Sequence, residues 1–343
     1  MVTIYDLAKE TGFSAPTVSK ALNGTGHLSA KTRDKILEVA RKMGYEPNLS
    51  ARTLSTKKSH LIGVVYDDPK MKRGFDHPLF SVILNRFREQ VERAFYDIIF
   101  LSHHSTMTYT AHAAYRTVDG VAIINPELEH YDDFKNMASQ GMPCVSTNDI
   151  IPGVCTLISK NEEIGYKATE YLIENGHKRI GYLSGPWLEY SRAAVEREEG
   201  YMRCLKDHGI GIDKDLVEEC KYWHMDSGYE GFSRLYKRAP DITAVFVCAD
   251  LLAMGVYKYA DQNNLSIPQQ ISIVSVDDDR VSSYLKPSLS TFRQDGEGIA
   301  DMAAEMLMNQ IAGLPVPPIV RFDASLMKRN SVFNLNGKNE EFL

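Results

Sequence analysis

The chain of 343 residues is short of cysteine, tryptophan and long apolar runs, and each shortage narrows what it can be. Its five cysteines, Cys144, Cys155, Cys204, Cys220 and Cys248, are odd in number and never spaced as CxxC, so neither a disulfide framework nor a cysteine zinc site is implied. Nowhere do about 18 apolar residues run together, and no membrane-spanning helix is expected. The opening MVTIYDLAKE lacks the basic-then-apolar run of a secretion signal, which places the chain, by expectation, in the cytoplasm. Motifs that carry enzymatic chemistry are missing too: no GxGxxG follows the first strand pattern, and GxxxxGK[ST], HExxH and GxSxG do not occur. The histidines, including the adjacent His103 and His104, show no metal spacing, so no metal and no cofactor are expected. Low-complexity tracts and internal repeats are likewise absent.

What is present is a division of charge. The net charge of −6 conceals +5 up to His60 and −11 beyond it. A basic end on an acidic body is how a phosphate-binding module on a non-binding body looks, although a solvated charged surface gives the same count. The length suits one small unit plus a larger, bilobed one.

The first 45 residues read as three short helices. Ala8, Gly12 and Val18 have helix-turn-helix spacing: a small residue admits the second helix, a glycine takes the left-handed turn, and an apolar residue locks the pair. Leu7 and Leu22 extend that core. Ser14 is placed to cap the second helix, Pro16 falls in its first turn where a missing N–H does no harm, and the third runs from Ser29 to a stop at Gly44. Small helical bundles also satisfy such a pattern. The face carrying Ala15, Pro16, Thr17, Ser19 and Lys20 is short-chained and polar, suited to a major groove. Lys20 and Asn23 can reach bases or phosphates, Thr17 and Ser19 the backbone, and Ala15 with Pro16 offers only apolar contact, as to a thymine methyl.

From Leu61 onward, apolar strand patterns alternate with helical ones: LIGVVY, DIIFL, VAIIN, CVST, RIGYLS, AVFVCA and ISIVSV. The alternation predicts α/β lobes with parallel, doubly wound sheets. The expected division is a headpiece at 1–46, a polar and basic hinge at 47–60, a two-lobed core at 61–333 and a tail at 334–343. Lobe 1 is about 61–156 plus 294–320, and lobe 2 about 157–293 plus 321–333.

VTIYDLAKETGFSAPTVSKALNG, followed by GYEPNLSARTLSTKKSHLIGVV, resembles the LacI/GalR family of bacterial repressors. YLIENGHKRIGYLSGP, REEGYMRCL, ITAVFVCADLLAMGVYKYA, ISIVSVDD and PSLSTFRQD extend the resemblance, in order, to about Val332. It implies a periplasmic-binding-protein-like core and a regulator of carbohydrate-use genes. That regulator binds a pseudo-palindromic operator in double-stranded DNA as a homodimer and answers a small-molecule effector, a sugar by expectation. Thr3, Ser14, Tyr45 and Asn48 join the DNA-contacting set, and Ala51, Arg52 and Leu54 match the family hinge, which folds on DNA and wedges paired leucines into the minor groove. A helix that short is unstable alone, so its folding must be coupled to binding.

Parallel sheets place ligands at the carboxyl ends of their strands. Asn148 follows CVST, Asp250 follows AVFVCA and Asp277 follows ISIVSV. By resemblance Arg197, Trp223 and Asp277 line the effector pocket, with Asn148 on a position usually held by another polar residue. Carboxylates and a guanidinium engage paired hydroxyls, and an indole covers a pyranose face; singly, a Trp is otherwise core and an Asp after a strand a helix cap. Asp67, His77 and Phe80 in the first lobe, and Tyr190 and Arg192 after GPW, are further candidates. A surface loop plus a core phenylalanine would explain the first three equally well. Ala249 and Gly296 depart from the family by offering no side-chain grip. Three other readings stay open: control by a phosphorylated carrier protein or sugar phosphate, a solute-binding protein, and an enzyme on the same architecture.

Overall fold

The computed structural model describes residues 2–22, 28–45, 58–67, 74–126, 128–186 and 192–337. The chain divides into two compact units, residues 1–59 and 60–343.

The first unit holds three described helices, α1 (Ile4–Thr11), α2 (Ala15–Leu22) and α3 (Ala30–Met43). Leu7, Val18, Ala21, Ile36 and Ala40 form their shared core. Thr3 and Asp6 cap α1 reciprocally, each side chain bonding the other's backbone N–H. Gly12 ends α1 at φ 75°, a left-handed conformation that costs glycine nothing, and the chain turns there into α2. Ser29 accepts from the Thr32 N–H at 3.1 Å to open α3.

The second unit is built on two six-stranded sheets. The first contains β1 (Leu61–Tyr66), β2 (Asp97–Phe100), β3 (Gly120–Asn125), β4 (Cys144–Ser146), β5 (Cys155–Ser159) and β11 (Ile319–Phe322), in the order β11-β5-β4-β3-β1-β2. The second contains β6 (Ile180–Ser184), β7 (Val217–Glu219), β8 (Ala244–Val247), β9 (Ser272–Val276), β10 (Ser290–Gln294) and β12 (Ala324–Met327), in the order β12-β10-β9-β8-β6-β7. Every pairing is parallel except β10 with β12. β6 and β9 are buried along their whole length, as strands covered on both faces by helices must be. Flanking the first sheet are α4 (Pro78–Arg93), α5 (Tyr109–Arg116), α6 (Tyr131–Ser139) and α11 (Gly296–Ile311). Flanking the second are α7 (Asn161–Glu174), α8 (Ala193–Asp207), α9 (Met225–Arg238) and α10 (Asp250–Gln262).

The chain passes between the lobes three times, at Lys160, Asp295 and Asp323. These crossings correct the expected boundaries after Thr156, Arg293 and Val320. The parallel register from Ile319↔Thr156 to Phe322↔Ser159 keeps both strands in the first sheet to their ends. Gln294 in turn pairs with Ala324 in the second sheet. The stretch from Ile319 to Leu326 is therefore two strands, one in each sheet. Residues 334–337, expected as tail, pack on the end of α7: the Leu335 N–H donates to Asn175 O at 2.8 Å, and Asn336 donates to Glu174 O at 2.9 Å.

Helices α7 and α8 meet backbone to backbone. A Cβ on Gly165 would stand 2.0 Å from Arg197 O, and one on Gly200 would stand 2.0 Å from Glu162 O. Glycine is required at both, and the close approach fixes what α7 and α8 present at the carboxyl ends of β8 and β9. No described helix is long and apolar enough to cross a membrane.

Candidate functional site

In the headpiece, α2 turns Val18 and Ala21 inward and leaves Pro16 and Lys20 exposed. Ser14 accepts from the Thr17 N–H at 3.4 Å and shares a 2.8 Å bond with the Thr17 hydroxyl, so the two polar side chains hold each other at the helix start. Ala15 and Ser19 are half-exposed on the same short helix. Thr3 is engaged by Asp6, whose carboxyl it holds below the ordinary range through two hydrogen bonds. Tyr45 packs its ring against the small core. Asn23, Asn48, Ala51, Arg52 and Leu54 lie outside the described residues.

In the second lobe, Arg197 on α8 is buried, with Nε donating to Asn161 Oδ1 at 2.9 Å and Nη1 donating to the Cys248 carbonyl just past β8. Arg192, half-exposed, reaches Glu199 at 3.5 Å and Glu196 at 3.9 Å. The Trp223 indole lies directly on Gly185 at the end of β6, where an added Cβ would stand 2.3 Å from the ring. Tyr190 falls outside the described residues.

Asp250 and Asp277 have different surroundings although each follows a strand. Asp250 is wholly buried and accepts from Asp279 N (2.8 Å), Ser282 Oγ (2.6 Å) and Thr291 Oγ1 (2.6 Å). Burial, with the Asp277 charge behind it, pushes its carboxyl up to about 7 against those three donors. Its carboxylate anchors the loop after β9. Asp277 sits in that loop at φ 115°, a region that non-glycine residues seldom occupy and that functional sites often hold by force of surroundings. Here its N–H donates to Phe292 O at 2.8 Å, and its Oδ1 accepts from Gln294 Nε2 at 2.8 Å.

The first lobe presents Asp67 just past β1, accepting from the Tyr109 hydroxyl. His77 is the cap of α4, its Nδ1 accepting from Leu79 N at 3.2 Å and Phe80 N at 3.4 Å, and Phe80 is a core residue whose ring lies tilted against it, 4.3 Å between centroids. Asn148 is half-buried beyond β4. These three segments bring different chemistry to one end of the sheet.

Between the lobes lies a cavity of about 720 Å³. Pro78, Leu79 and Val82 of α4 supply an apolar wall, and Asp277, Gln294 and Arg321 a polar one. Gly296 lets α4 pack closely on this part of the wall, with Val82 and Leu79 within 3.1 and 3.3 Å of where a Cβ would be. Gln294 links three segments: Ser159 Oγ donates to its Oε1 at 2.6 Å while its Nε2 holds Asp277. Arg321 makes a two-pronged pair with the buried Glu196 at 2.8 and 2.9 Å.

Sequence reasoning passed over Ser159, Asn161, Glu196, Gln294 and Arg321. Ser159 ends a largely apolar strand pattern, the same signal that singled out Asp277, whereas Gln294 follows the mostly polar run STFR and carried no such signal. His103 and His130 also went unassigned; their rings lie 3.9 Å apart, tilted by 30°, beyond β2 and β3. Among the described residues no group of three or more His, Cys, Asp or Glu is arranged to hold a metal ion. The five cysteines are free and buried, their thiols pushed up by burial.

Comparison with known proteins assigns both units. Residues 3–48 match the family described as bacterial regulatory proteins, lacI family, and residues 169–332 match the periplasmic binding protein-like domain. Catabolite control protein A of Priestia megaterium is 30% identical, over 89% of this chain and 91% of its own length. The probable HTH-type transcriptional repressor ExuR of Bacillus subtilis is 29% identical, over 91% and 92%. Among solved structures, the lac repressor bound to ONPG in its repressed state superposes with a TM-score of 0.77 at 25% identity, covering 96% of this chain and 99% of that one. The CelR–cellobiose complex gives 0.72 at 25%, covering 96% and 100%. A helix-turn-helix headpiece, a two-lobed core with a cavity at its crossing strands, and relatives matching about nine-tenths of the chain lead to one conclusion: the chain is a DNA-binding transcription regulator with a small-molecule effector, and it belongs to the lacI family of bacterial regulatory proteins.

Proposed function

We propose that the chain is a homodimeric repressor whose operator affinity is set by a sugar bound between the lobes of its core. The observation that carries this reading is the Ser159–Gln294–Asp277 relay beside the interlobe cavity. It joins a strand end of one lobe to the loop of the other, so a ligand hydroxyl on Asp277 acts on the geometry that relates them. Trp223, seated on Gly185, supplies an apolar plane for a sugar ring. Of the candidate contacts, Asp277 lines the cavity, and Tyr190 lies outside the described residues. Arg197 and Asn148 are assigned to the pocket by the family resemblance, and Asp67, His77, Phe80 and Arg192 by their places in the sequence. Asp250 supports it from behind.

Two headpieces would read successive major grooves through Ala15, Pro16, Thr17, Ser19, Lys20 and Asn23. Thr3, Ser14, Tyr45 and Asn48 would position the backbone, and Ala51, Arg52 and Leu54 would fold at the operator centre. Exposed apolar side chains on the second lobe, Tyr222, Met225, Val281 and Tyr284, are what a second copy would cover. Because coupling is reciprocal, operator DNA changes effector affinity by the factor that effector changes operator affinity.

The test is thermal unfolding against a panel of mono- and oligosaccharides, sugar phosphates and purines, where a ligand at ~100 times its Kd adds about 2.7 kcal/mol. A shift with one sugar that Asp277→Ala abolishes is expected. A shift only with a purine, or one indifferent to Asp277→Ala, would overturn the sugar reading of this cleft.

A further inference from the structure

Two of the polar contacts that join the lobes sit at the crossings themselves: Ser159 with Gln294, and Lys160 with Asp323 at 3.1 and 3.2 Å. The Arg321–Glu196 pair is placed differently. Arg321 lies in β11 of the first sheet, and Glu196 stands in the first turn of α8, in the body of the second lobe. Nη1 donates to Oε2 at 2.8 Å and Nη2 to Oε1 at 2.9 Å, the parallel geometry in which a guanidinium binds a carboxylate most firmly.

Position relative to the crossings decides which contacts feel a rotation of the lobes. A contact at the axis is little stretched, whereas one held away from it is pulled apart. Strand rise puts Arg321 roughly 7 Å from the crossing at Asp323 before its side chain adds its own reach. At ~10 Å from an axis, a rotation of about 10° moves a group by about 1.7 Å, enough to carry both hydrogen bonds out of range.

Glu196 is 6% exposed, so its carboxylate does not exchange the guanidinium for water without cost. Arg192 stands 3.9 Å from it, but as the cap of the same helix it moves with Glu196 and does nothing to hold the lobes together. Arg321 also lines the interlobe cavity, as Asp277 and Gln294 do from the second sheet, so an occupant of the cavity lies beside the pair.

We propose that Arg321 and Glu196 form a latch between the lobes: it biases the core toward the arrangement in which the pair is closed, and so sets operator affinity without touching DNA. This rests on the reading that lobe arrangement controls the headpieces, and not on which effector fills the cavity. A pair that exists in one arrangement only shifts the balance between the two by its own worth, and the effector must add to that bias or overcome it.

The experiment uses the full chain with spin labels at Asp132→Cys and Lys214→Cys, exposed positions in the first and second lobes. The native cysteines are buried and stay unlabelled. Labelled chain is diluted into unlabelled chain, so that each distance comes from one subunit. Pulsed electron resonance gives the interlobe distance, and fluorescence anisotropy gives affinity for a duplex that the unaltered chain selects from a random pool. Arg321→Met and the near-isosteric Glu196→Gln are expected to shift or broaden the distances, and both to change operator affinity in the same direction by about 5-fold or more. Lys160→Met removes a contact at the crossing and should leave the distances alone. A lower unfolding temperature with distances and operator affinity unchanged would make the pair structural only and overturn the latch. So would Lys160→Met acting as strongly as Arg321→Met, or a change of distance without a change of operator affinity. No sugar enters these measurements, so the latch can fail while the sugar reading stands, and the reverse.

Discussion

Arg321 of β11 and Glu196 of α8 belong to different lobes and are joined by two hydrogen bonds, with the carboxylate buried and the guanidinium about one-third exposed. The burial is unequal, so the two ends of the pair should respond unequally to deletion. Arg321→Ala strands a buried carboxylate and should cost about 2–3 kcal/mol, whereas Glu196→Ala leaves an arginine that water can reach and should cost about 1 kcal/mol. Urea unfolding of the two variants decides it. Equal losses would mean that water reaches Glu196 as readily as Arg321.

The pH dependence of stability should carry the signature of Asp250. Its folded value, about 7, lies above the ordinary 3.8. Between those values the native state keeps a proton that the unfolded chain releases. Stability from this group is therefore complete below about pH 4 and declines as pH rises, by up to about 1.4 kcal/mol per unit until about pH 7. Asp250→Asn should flatten that decline while lowering stability overall, since an amide cannot accept all three bonds. Unfolding curves for both proteins across this range would show it, and a slope unchanged in the variant would reject the assignment.

At Gly185 the space is taken by the Trp223 ring. Gly185→Ala should push the indole from its seat and weaken effector binding about tenfold, a loss typical of misplacing one contact, with a modest effect on unfolding. Gly165→Ala is a different case, because backbone rather than ring would have to move. It should cost about 3 kcal/mol or more and disturb Arg197 together with the α7–α8 contact. Calorimetry on both variants separates local from global damage.

Leu54→Ala should weaken specific operator binding far more than binding to random DNA, because unstacking and bending are repaid only at a specific site. Fluorescence anisotropy on operator and scrambled duplexes measures both. Equal losses would remove the wedge from the mechanism.

Much of this architecture could be read from residue patterns. The headpiece was legible because capping and turn residues act locally: Ser29, Gly12 and Gly44 sit at the ends their chemistry favours. Strands such as RIGYLS and ISIVSV declared themselves by unbroken apolarity. β7 did not, being a partly exposed edge strand with a weak pattern, and the stretch from Ile319 to Leu326 reads as one strand where the fold makes two. For the site, a polar residue after an apolar run located Asp250 and Asp277, but not their division of labour. That division depends on Ser282, Thr291 and Gln294, which neighbour the aspartates only after folding. The Arg197–Asn161 contact spans 36 residues, and Arg321–Glu196 spans 125, beyond the reach of any local signal.

Three passages between the lobes mean that neither lobe is a continuous stretch of chain. Cutting at any one crossing leaves a sheet lacking a strand or a helix that arrives from the other end of the sequence. Recombination should therefore find few viable joints within the core. The headpiece is continuous in sequence and leads into the core through one segment, Glu46 to Ser59. A headpiece from another family member, joined at that segment, should carry this core's ligand response to a different operator, which makes target and signal separately exchangeable in evolution and in the laboratory.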